Sequence, residues 1–437
     1  MYDPLKDTSP GCGENYPSSY WRDHSGSTPA DDGQLKQDID ADVVIIGAGY
    51  TGLSCALHLA REQGINAVVL EANQTAWGCS GRNAGFILKS TGRMTYGQIE
   101  KKWGTQAMHG IYDEMCQGVA SVEQLIAEGI SCDRQGAGFL KLAHKPAMFA
   151  ALVEQAKLQQ QRFGYQVEIL SKQQVRHQYM DDKNAYGAIR YHDGFGVNPL
   201  KLAWGYQKLA RAAGVKVHTS SPVTAWSESG DRQILHVGAG EHNIQLRAQK
   251  VVIATNGYTP NALHPLVKGR TLPVLSQIIV TQPLNAQQLQ QCHFLTDNVV
   301  MDTRALKYFY RKLPDNRILF GGRGAITGKQ ANNPYYTQRL LKVLKSSFPA
   351  LSQLQIDFSW AGWISVSLDD LPHVYQCPQQ KVFYAMGYCG SGVAFSVQAG
   401  KRLAQKIAGV SVPNLPLYQQ PLQKFPFAPF RRVGQWG

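Results

Sequence analysis

The sequence predicts an α/β protein, with a helix-covered parallel sheet and an interleaved α+β domain built on an antiparallel sheet. Three observations carry that expectation. Residues 42–85 open with a buried strand that turns through glycines into a helix. Residues 381–407, KVFYAMGYCGSGVAFSVQAGKRLAQKI, repeat that order of strand, glycines and amphipathic helix. Between them, residues 265–350 alternate short β segments, whereas the flanking regions alternate strand with helix.

The length of 437 residues and the 43% apolar content suffice for two intertwined domains. No apolar run approaches the roughly 20 residues of a membrane-spanning helix, and MYDPLKDTSP lacks the apolar core of a secretory leader. A soluble, cytoplasmic protein with no integral membrane segment is expected. The eight cysteines include no CxxC and the twelve histidines no HExxH, so reduced thiols and no metal are expected. The net charge of +13 is uneven: the first forty residues are acidic, whereas no Asp or Glu follows Lys401. No nucleic-acid module accompanies the basic surplus. An anionic cofactor, an anionic substrate and solvated surface absorb it.

Residues 1–40 are rich in Pro, Gly, Ser and Asp yet carry Tyr16, Tyr20 and Trp21. Large rings contribute much burial per residue, so the segment reads as an arm pinned by Tyr20 and Trp21, against the alternative of a disordered leader. Val43 to Ile46 then form a continuous apolar run, as a parallel strand covered on both faces requires. Gly47, Ala48, Gly49, Tyr50, Thr51 and Gly52 spell GxGxxG at the strand-to-helix turn. Gly47 permits the tight turn, Gly49 admits a pyrophosphate to the backbone, and Gly52 lets the helix approach the sheet. Free N–H groups and the macrodipole at the helix start favour the phosphates. Leu53, Ala56, Leu57 and Ala60 supply the apolar stripe, Gly64 ends the helix, and residues 67–70 return as a strand. Glu71, followed by Ala72, is placed to accept both ribose hydroxyls and to repel a 2′-phosphate, which selects FAD or NAD over NADP. A glycine turn alone is weak evidence. Strand, glycines, helix, strand and acid within roughly 30 residues make the complete Rossmann-like fingerprint.

Residues 75–85, TAWGCSGRNAG, run on as a small, polar, glycine-rich loop. The ribityl chain of FAD calls for donors beyond the first glycine turn, here Ser80, Gly81, Arg82, Asn83, Ala84 and Gly85. The pairing of VVIIGAGYTGLSCALHLA with SGRNAG resembles the glycine/D-amino-acid oxidase (DAO) family of FAD-dependent oxidoreductases, and within it the γ-glutamylputrescine oxidase group.

Apolar residues at helical spacing across 96–128 predict one or two long helices. A strand at 139–142, a helix at 146–163, a strand at 167–170, a helix capped by Ser171 and a strand at 185–190 follow. Asn198 and Pro199 open a helix that Gly214 closes, and strands at 215–218 and 223–226 return the chain to the first sheet. The resemblance implies that the backbone at Val223 meets the adenine. KVVIATNGYT is a second signature, a buried strand ending in Thr255, Asn256 and Gly257 beside the cofactor. Segments at 274–281, 305–311 and 317–322 predict the antiparallel sheet laid over the flavin. Tyr308 and Tyr310 project from one face of their strand; they line an amine pocket or form a packed aromatic face. Arg304 and Arg323 hold a carboxylate or lie at the surface.

The last signature joins WAGWISVSLDDLPHV to the second glycine turn, where Gly387, Gly390 and Gly392 lead into a helix beginning near Val393. Its dipole is suited to negative charge on a reduced flavin. The resemblance implies that residues 387–392 contact the isoalloxazine, with Gly362 against it and Tyr388 and Trp363 on the substrate side. FPFAPF at 425–430 docks on the body, or makes weak peripheral membrane contact together with Arg431 and Arg432.

The resemblance implies hydride transfer to FAD from the carbon beside a neutral amine, hydrolysis of the imine, and reoxidation by O2 or a respiratory acceptor. No catalytic side chain is assigned. Relatives that hold FAD covalently use a His after the first βαβ unit or a Cys before SLDD; Arg82, Asn83, Gly362 and Trp363 stand in those regions, so non-covalent FAD is expected. The expected substrate is a small amine or amino acid, γ-glutamylputrescine-like first, a D-amino acid or secondary amine next. An electron-transfer or assembly flavoprotein is the alternative from another class. Residues 1–40 are assigned to the arm, 41–90, 192–264 and 352–410 to the FAD domain, 91–191 and 265–351 to the substrate domain, and 411–437 to a tail.

Overall fold

The computed structural model describes residues 1–238 and 244–435. Residues 239–243 of the expected segment 192–264, and the last two of the expected tail, lie outside the described residues. Two eight-stranded sheets organise the chain. The first runs His373–Cys377, Val382–Met386, Ile244–Ile253, Ile39–Ile46, Ala67–Leu70, Lys216–His218, with Arg232–Val237 and Val223–Ser229 added antiparallel. The junctions from Val382–Met386 to Lys216–His218 are parallel, which requires crossover connections.

Along Ile39–Ile46, Val43 and Ile45 pack into one core cluster, Val44 and Ile46 into another on the opposite face. Both faces are covered, which is why the strand reads as an unbroken apolar run. Each such Val or Ile contributes about 1.5–3 kcal/mol by burial. The helices Tyr50–Gln63 and Val393–Ile407 cross closely at Gly400, where a Cβ would stand 2.6 Å from Ser54 Cβ and 2.7 Å from the Thr51 carbonyl oxygen. Ser54 Oγ donates to the Val397 carbonyl at 2.7 Å and locks the crossing.

The second sheet is ordered Ile356–Val366, Leu272–Thr281, Ile318–Arg323, Phe309–Lys312, Val299–Asp302, Phe139–Leu142, Gly187–Tyr191, Glu168–Ser171. It is antiparallel except where Val299–Asp302 meets Phe139–Leu142, the junction that joins two distant chain segments. Ile356–Val366, grouped by sequence with 352–410, pairs with Leu272–Thr281 throughout and so lies in this sheet. The strand expected at 305–311 begins only at Phe309. Asp302 Oδ1 accepts the backbone N–H groups of Arg304 and Tyr308, which folds the residues between into a turn.

The long helix is Tyr96–Ala127, opened by a Thr95–Gln98 capping box and kinked at Gly104, where φ is 85°. Tyr20 and Trp21 are buried, and Trp21 Nε1 donates to the Asn83 carbonyl at 2.9 Å, so the first residues pack on the body. In the tail, Phe425 N–H donates to the Gly269 carbonyl, whereas Phe427 and Phe430 stand exposed. Among the described residues, no helix is long and apolar enough to cross a membrane.

Candidate active site

The starts of the helices Tyr50–Gln63 and Val393–Ile407 open onto one narrow cleft of about 170 Å³. Gly47, Gly49, Tyr50, Thr51, Glu71, Ala72, Ser80, Asn83, Val223, Thr255, Asn256, Gly390, Gly392 and Val393 line it. Gly47 holds φ at 109°, and a Cβ there would stand 3.1 Å from the Ala254 carbonyl oxygen; at Gly49 it would stand 2.9 Å from Ser80 Oγ. Side chains at these positions would fill the cradle in which a diphosphate meets backbone N–H groups. Directly after Ala67–Leu70, Glu71 Oε2 accepts the Ala48 N–H at 3.0 Å and Oε1 the Asn73 N–H at 3.1 Å. Burial pushes its pKa up, against the opposing pull of these N–H groups. Each oxygen keeps lone-pair capacity for a ribose hydroxyl.

The cleft widens into a cavity of about 580 Å³, with Cys79, Asn83, Ile364, Gly390 and Val393 lining both. This sequence of acid, glycine cradle and widening fits FAD from adenosine to ring. The wide cavity has apolar walls, among them Phe86, Ile278, Met301, Phe309 and Ile364, and four cations, Arg82, Arg93, Lys307 and Arg323. Arg93 Nε pairs with Asp370 at 3.0 Å, and Arg323 donates to the Gln435 carbonyl. Lys307 Nζ lies 3.4 Å from the Gly92 carbonyl oxygen. Burial first, then repulsion from Arg93, pushes its pKa down.

Arg82, Ala84 and Gly362 line the wide cavity. The Arg82 guanidinium is committed elsewhere: Nε donates to the Trp77 carbonyl at 2.7 Å and Nη1 to the Ala361 carbonyl at 3.2 Å. Ala48, Gly52, Gly81, Gly85, Gly257 and Gly387 line neither space and instead shape its loops. A Cβ at Gly52 would stand 2.0 Å from the Gly47 carbonyl oxygen, so only glycine lets the helix approach its strand here.

Most residues expected at the substrate lie elsewhere, and strand alternation accounts for three of them. Tyr308 and Tyr310 do share a face, but it is turned from the cavity. Tyr310 is buried in a second core, its hydroxyl donating to Asp182 at 2.6 Å, whereas Lys307 and Phe309 line the cavity. Trp363 points away between Gly362 and Ile364, its Nε1 donating to the Tyr2 carbonyl at 2.8 Å. Arg304 folds back on Asp302 and over the Tyr308 ring. Tyr388 lies in the narrow cleft, its hydroxyl 2.7 Å from Thr51 Oγ1. Arg93, Lys307, Phe309 and Asp370 line the cavity without being among the residues expected there from the sequence. For Phe309 the available signal is the glycine pair at 321–322, since Gly321 sits opposite Phe309 and leaves room for its ring.

The model of the FAD dependent oxidoreductase (DAO) family matches residues 42–406. Gamma-glutamylputrescine oxidoreductase of Escherichia coli (strain K12) is 32% identical over 410 residues, 92% of each chain. Sarcosine oxidase subunit beta of Rhizobium meliloti (strain 1021) is 26% identical over 84% of each chain. Glycine oxidase from Geobacillus kaustophilus shares the fold, with a TM-score of 0.71 at 18% identity over 89% of this chain and 99% of that one. A match that spans both glycine turns and everything between them leaves one assignment: the chain belongs to the DAO family of FAD-dependent oxidoreductases.

Proposed function

We propose that this chain oxidises a C–N bond of an amine or amino acid, γ-glutamylputrescine-like substrates first, and that it holds FAD without a covalent link. The observation that carries this reading is the apolar-walled cavity opening directly off the nucleotide cleft; the 32% identity to gamma-glutamylputrescine oxidoreductase supports the choice of amine. When bound, FAD supplies the acceptor for a hydride equivalent. The chain's own residues prepare the substrate. Phe86, Ile278, Phe309 and Ile364 desolvate the amine, which lowers its pKa and favours the neutral form whose lone pair assists the transfer. Asp370, a carboxylate on this wall, is paired with Arg93 and so competes weakly for the amine as ammonium. The N–H groups at the start of Val393–Ile407 face the joint between cleft and cavity, where they offset negative charge arriving with the hydride. The imine product hydrolyses in water to a carbonyl compound and an amine or ammonia. Arg82, Asn83, Gly362 and Trp363 supply no His or Cys for covalent attachment in the two regions where relatives form it, so denaturation is expected to release the flavin from the polypeptide.

Anaerobic mixing of the holoprotein with γ-glutamylputrescine, putrescine, sarcosine, glycine and D-alanine tests the reading. Bleaching of the flavin by γ-glutamylputrescine supports it. Bleaching by sarcosine or glycine alone favours the secondary-amine or amino-acid reading, to which the similarity to sarcosine oxidase subunit beta also points. Bleaching by none of them, but by NADH or a partner protein, overturns it in favour of an electron-transfer or assembly role. Reoxidation by O2 compared with a quinone analogue identifies the acceptor.

A further inference from the structure

Beyond the wide cavity lies another of about 440 Å³, which shares Leu88, Arg93, Met301 and Lys307 with it. One row of register partners runs beneath both. Ile278 faces Gly321, Gly321 faces Phe309, Phe309 faces Met301, and Met301 faces Lys141. Ile278, Phe309 and Met301 line the wide cavity; Met301 and Lys141 line the further one. With strands about 4.8 Å apart, Lys141 stands roughly 10 Å from Phe309 and roughly 19 Å from Ile278 along that row.

Two cations of this space make no ion pair among the described residues. Lys89 pairs with Asp193, Arg93 with Asp370, and Glu154 is taken by Lys157. Lys141 Nζ donates only to the neutral Gln155 Oε1, at 3.0 Å, and Lys307 Nζ only to the Gly92 carbonyl, among the described residues. Burial, with repulsion from Lys307, pushes Lys141 down to about 8, and Lys307 is pushed down as well. Two enclosed ammonium groups that repel each other are costly unless an anion comes between them.

Resting on the amine-oxidising reading above, we propose that Lys141 and Lys307 bind a carboxylate at the far end of an elongated substrate whose reacting amine sits beside Phe309. A span of roughly 10 Å corresponds to about nine chain bonds. Glycine and sarcosine are far too short to bridge it, whereas an amine carried on an amino-acid head by an amide reaches across. The further cavity is then a specificity site, remote from the reacting carbon.

The experiment uses the holoenzyme and three compounds: γ-glutamylputrescine; N-acetylputrescine, which keeps the amine and the amide but ends in a neutral group; and γ-glutamylbutylamide, which keeps the carboxylate but has no reacting amine. Wild type is expected to show a kcat/KM at least about tenfold higher for the first than for the second. Lys141→Met and Lys307→Met, which keep side-chain volume, each shrink that ratio about tenfold and weaken calorimetric binding of γ-glutamylbutylamide by a similar factor. Equal efficiency of the two amines with wild type overturns the proposal without recourse to any variant. An undiminished ratio and undiminished binding in folded, flavin-loaded variants overturn it too. Should no amine reduce the flavin, the amine-oxidising reading falls, and this is a different outcome because binding of γ-glutamylbutylamide is measured without turnover.

Discussion

At the adenosine end of the cleft, Glu71 already takes two backbone N–H bonds and has to be ionised to take two ribose hydroxyls as well. Burial raises its pKa, and bound FAD favours the carboxylate. FAD affinity is therefore full above that raised pKa and falls as pH descends through it, starting above the ordinary glutamate value of about 4.3. Flavin release followed by fluorescence from neutral to mildly acidic pH checks this; Glu71→Gln is expected to bind FAD about tenfold more weakly and to lose the acid-side dependence. Tyr310 affords a second test, of packing. Its hydroxyl satisfies the buried Asp182, whose pKa burial pushes up. Tyr310→Phe is expected to cost about 1–3 kcal/mol in denaturant unfolding with substrate KM unmoved, whereas Phe309→Ala raises KM. That residues 308 and 310 share a face is legible in the sequence, because period two belongs to any strand. Which face it is depends on register, here Phe309 on Gly321 and Tyr310 on Phe320, and a register is fixed only once partner strands are in place.

Both glycine-led helices announce themselves locally, since strand, turn and helix follow within one stretch of chain. What fastens them to the rest does not. Arg402 on Val393–Ile407 reaches Glu114 on Tyr96–Ala127, with Nη2 at 2.5 Å from Oε1 and Nε at 3.1 Å from Oε2. The Tyr418 hydroxyl and Gln398 Nε2 donate to the same carboxylate. Glu114 is 1% exposed, and these donors satisfy its buried oxygens. Arg402→Met removes the chief one and is expected to cost about 3–5 kcal/mol, seen as a lower Tm, while adding Glu114→Gln recovers much of it because no buried charge is then left unpaired. The two residues stand 288 positions apart, so no periodicity or motif relates them. Lys141 and Lys307 were illegible for the same reason: Lys141 lies on a strand and Lys307 in the turn before another, and only the sheet's register brings them to one cavity.

Across the whole molecule, the arm joins what the two sheets divide. Gly13 N–H donates to the Ala72 carbonyl at 2.9 Å, Glu14 N–H to Asn73 Oδ1 at 2.8 Å, and the Tyr16 hydroxyl to the Thr75 carbonyl at 2.6 Å. Trp77 Nε1 donates back to the Asn15 carbonyl at 2.8 Å, and Pro10 lines the nucleotide cleft. The arm thus roofs the loop that follows Glu71. At its other end, Asp3 pairs with Arg432 of the tail at 2.7 Å and accepts the Gly328 N–H at 3.0 Å. Deleting residues 1–18 removes no strand of either sheet, but it uncovers the loop and takes Pro10 from the lining of the cleft. The truncated protein is expected to purify with less than one FAD per chain and to bind added FAD at least about tenfold more weakly, since several hydrogen bonds that hold the loop are gone. Asp3→Asn separates the two functions of the arm. It breaks the clasp to the tail and lowers Tm, because Arg432 is left partly buried without its partner, yet it leaves the bonds over the loop intact, so its FAD content is expected to stay full. FAD bound as tightly by the truncated chain as by the whole one would show that the arm holds the sheets together and has no part in retaining the flavin.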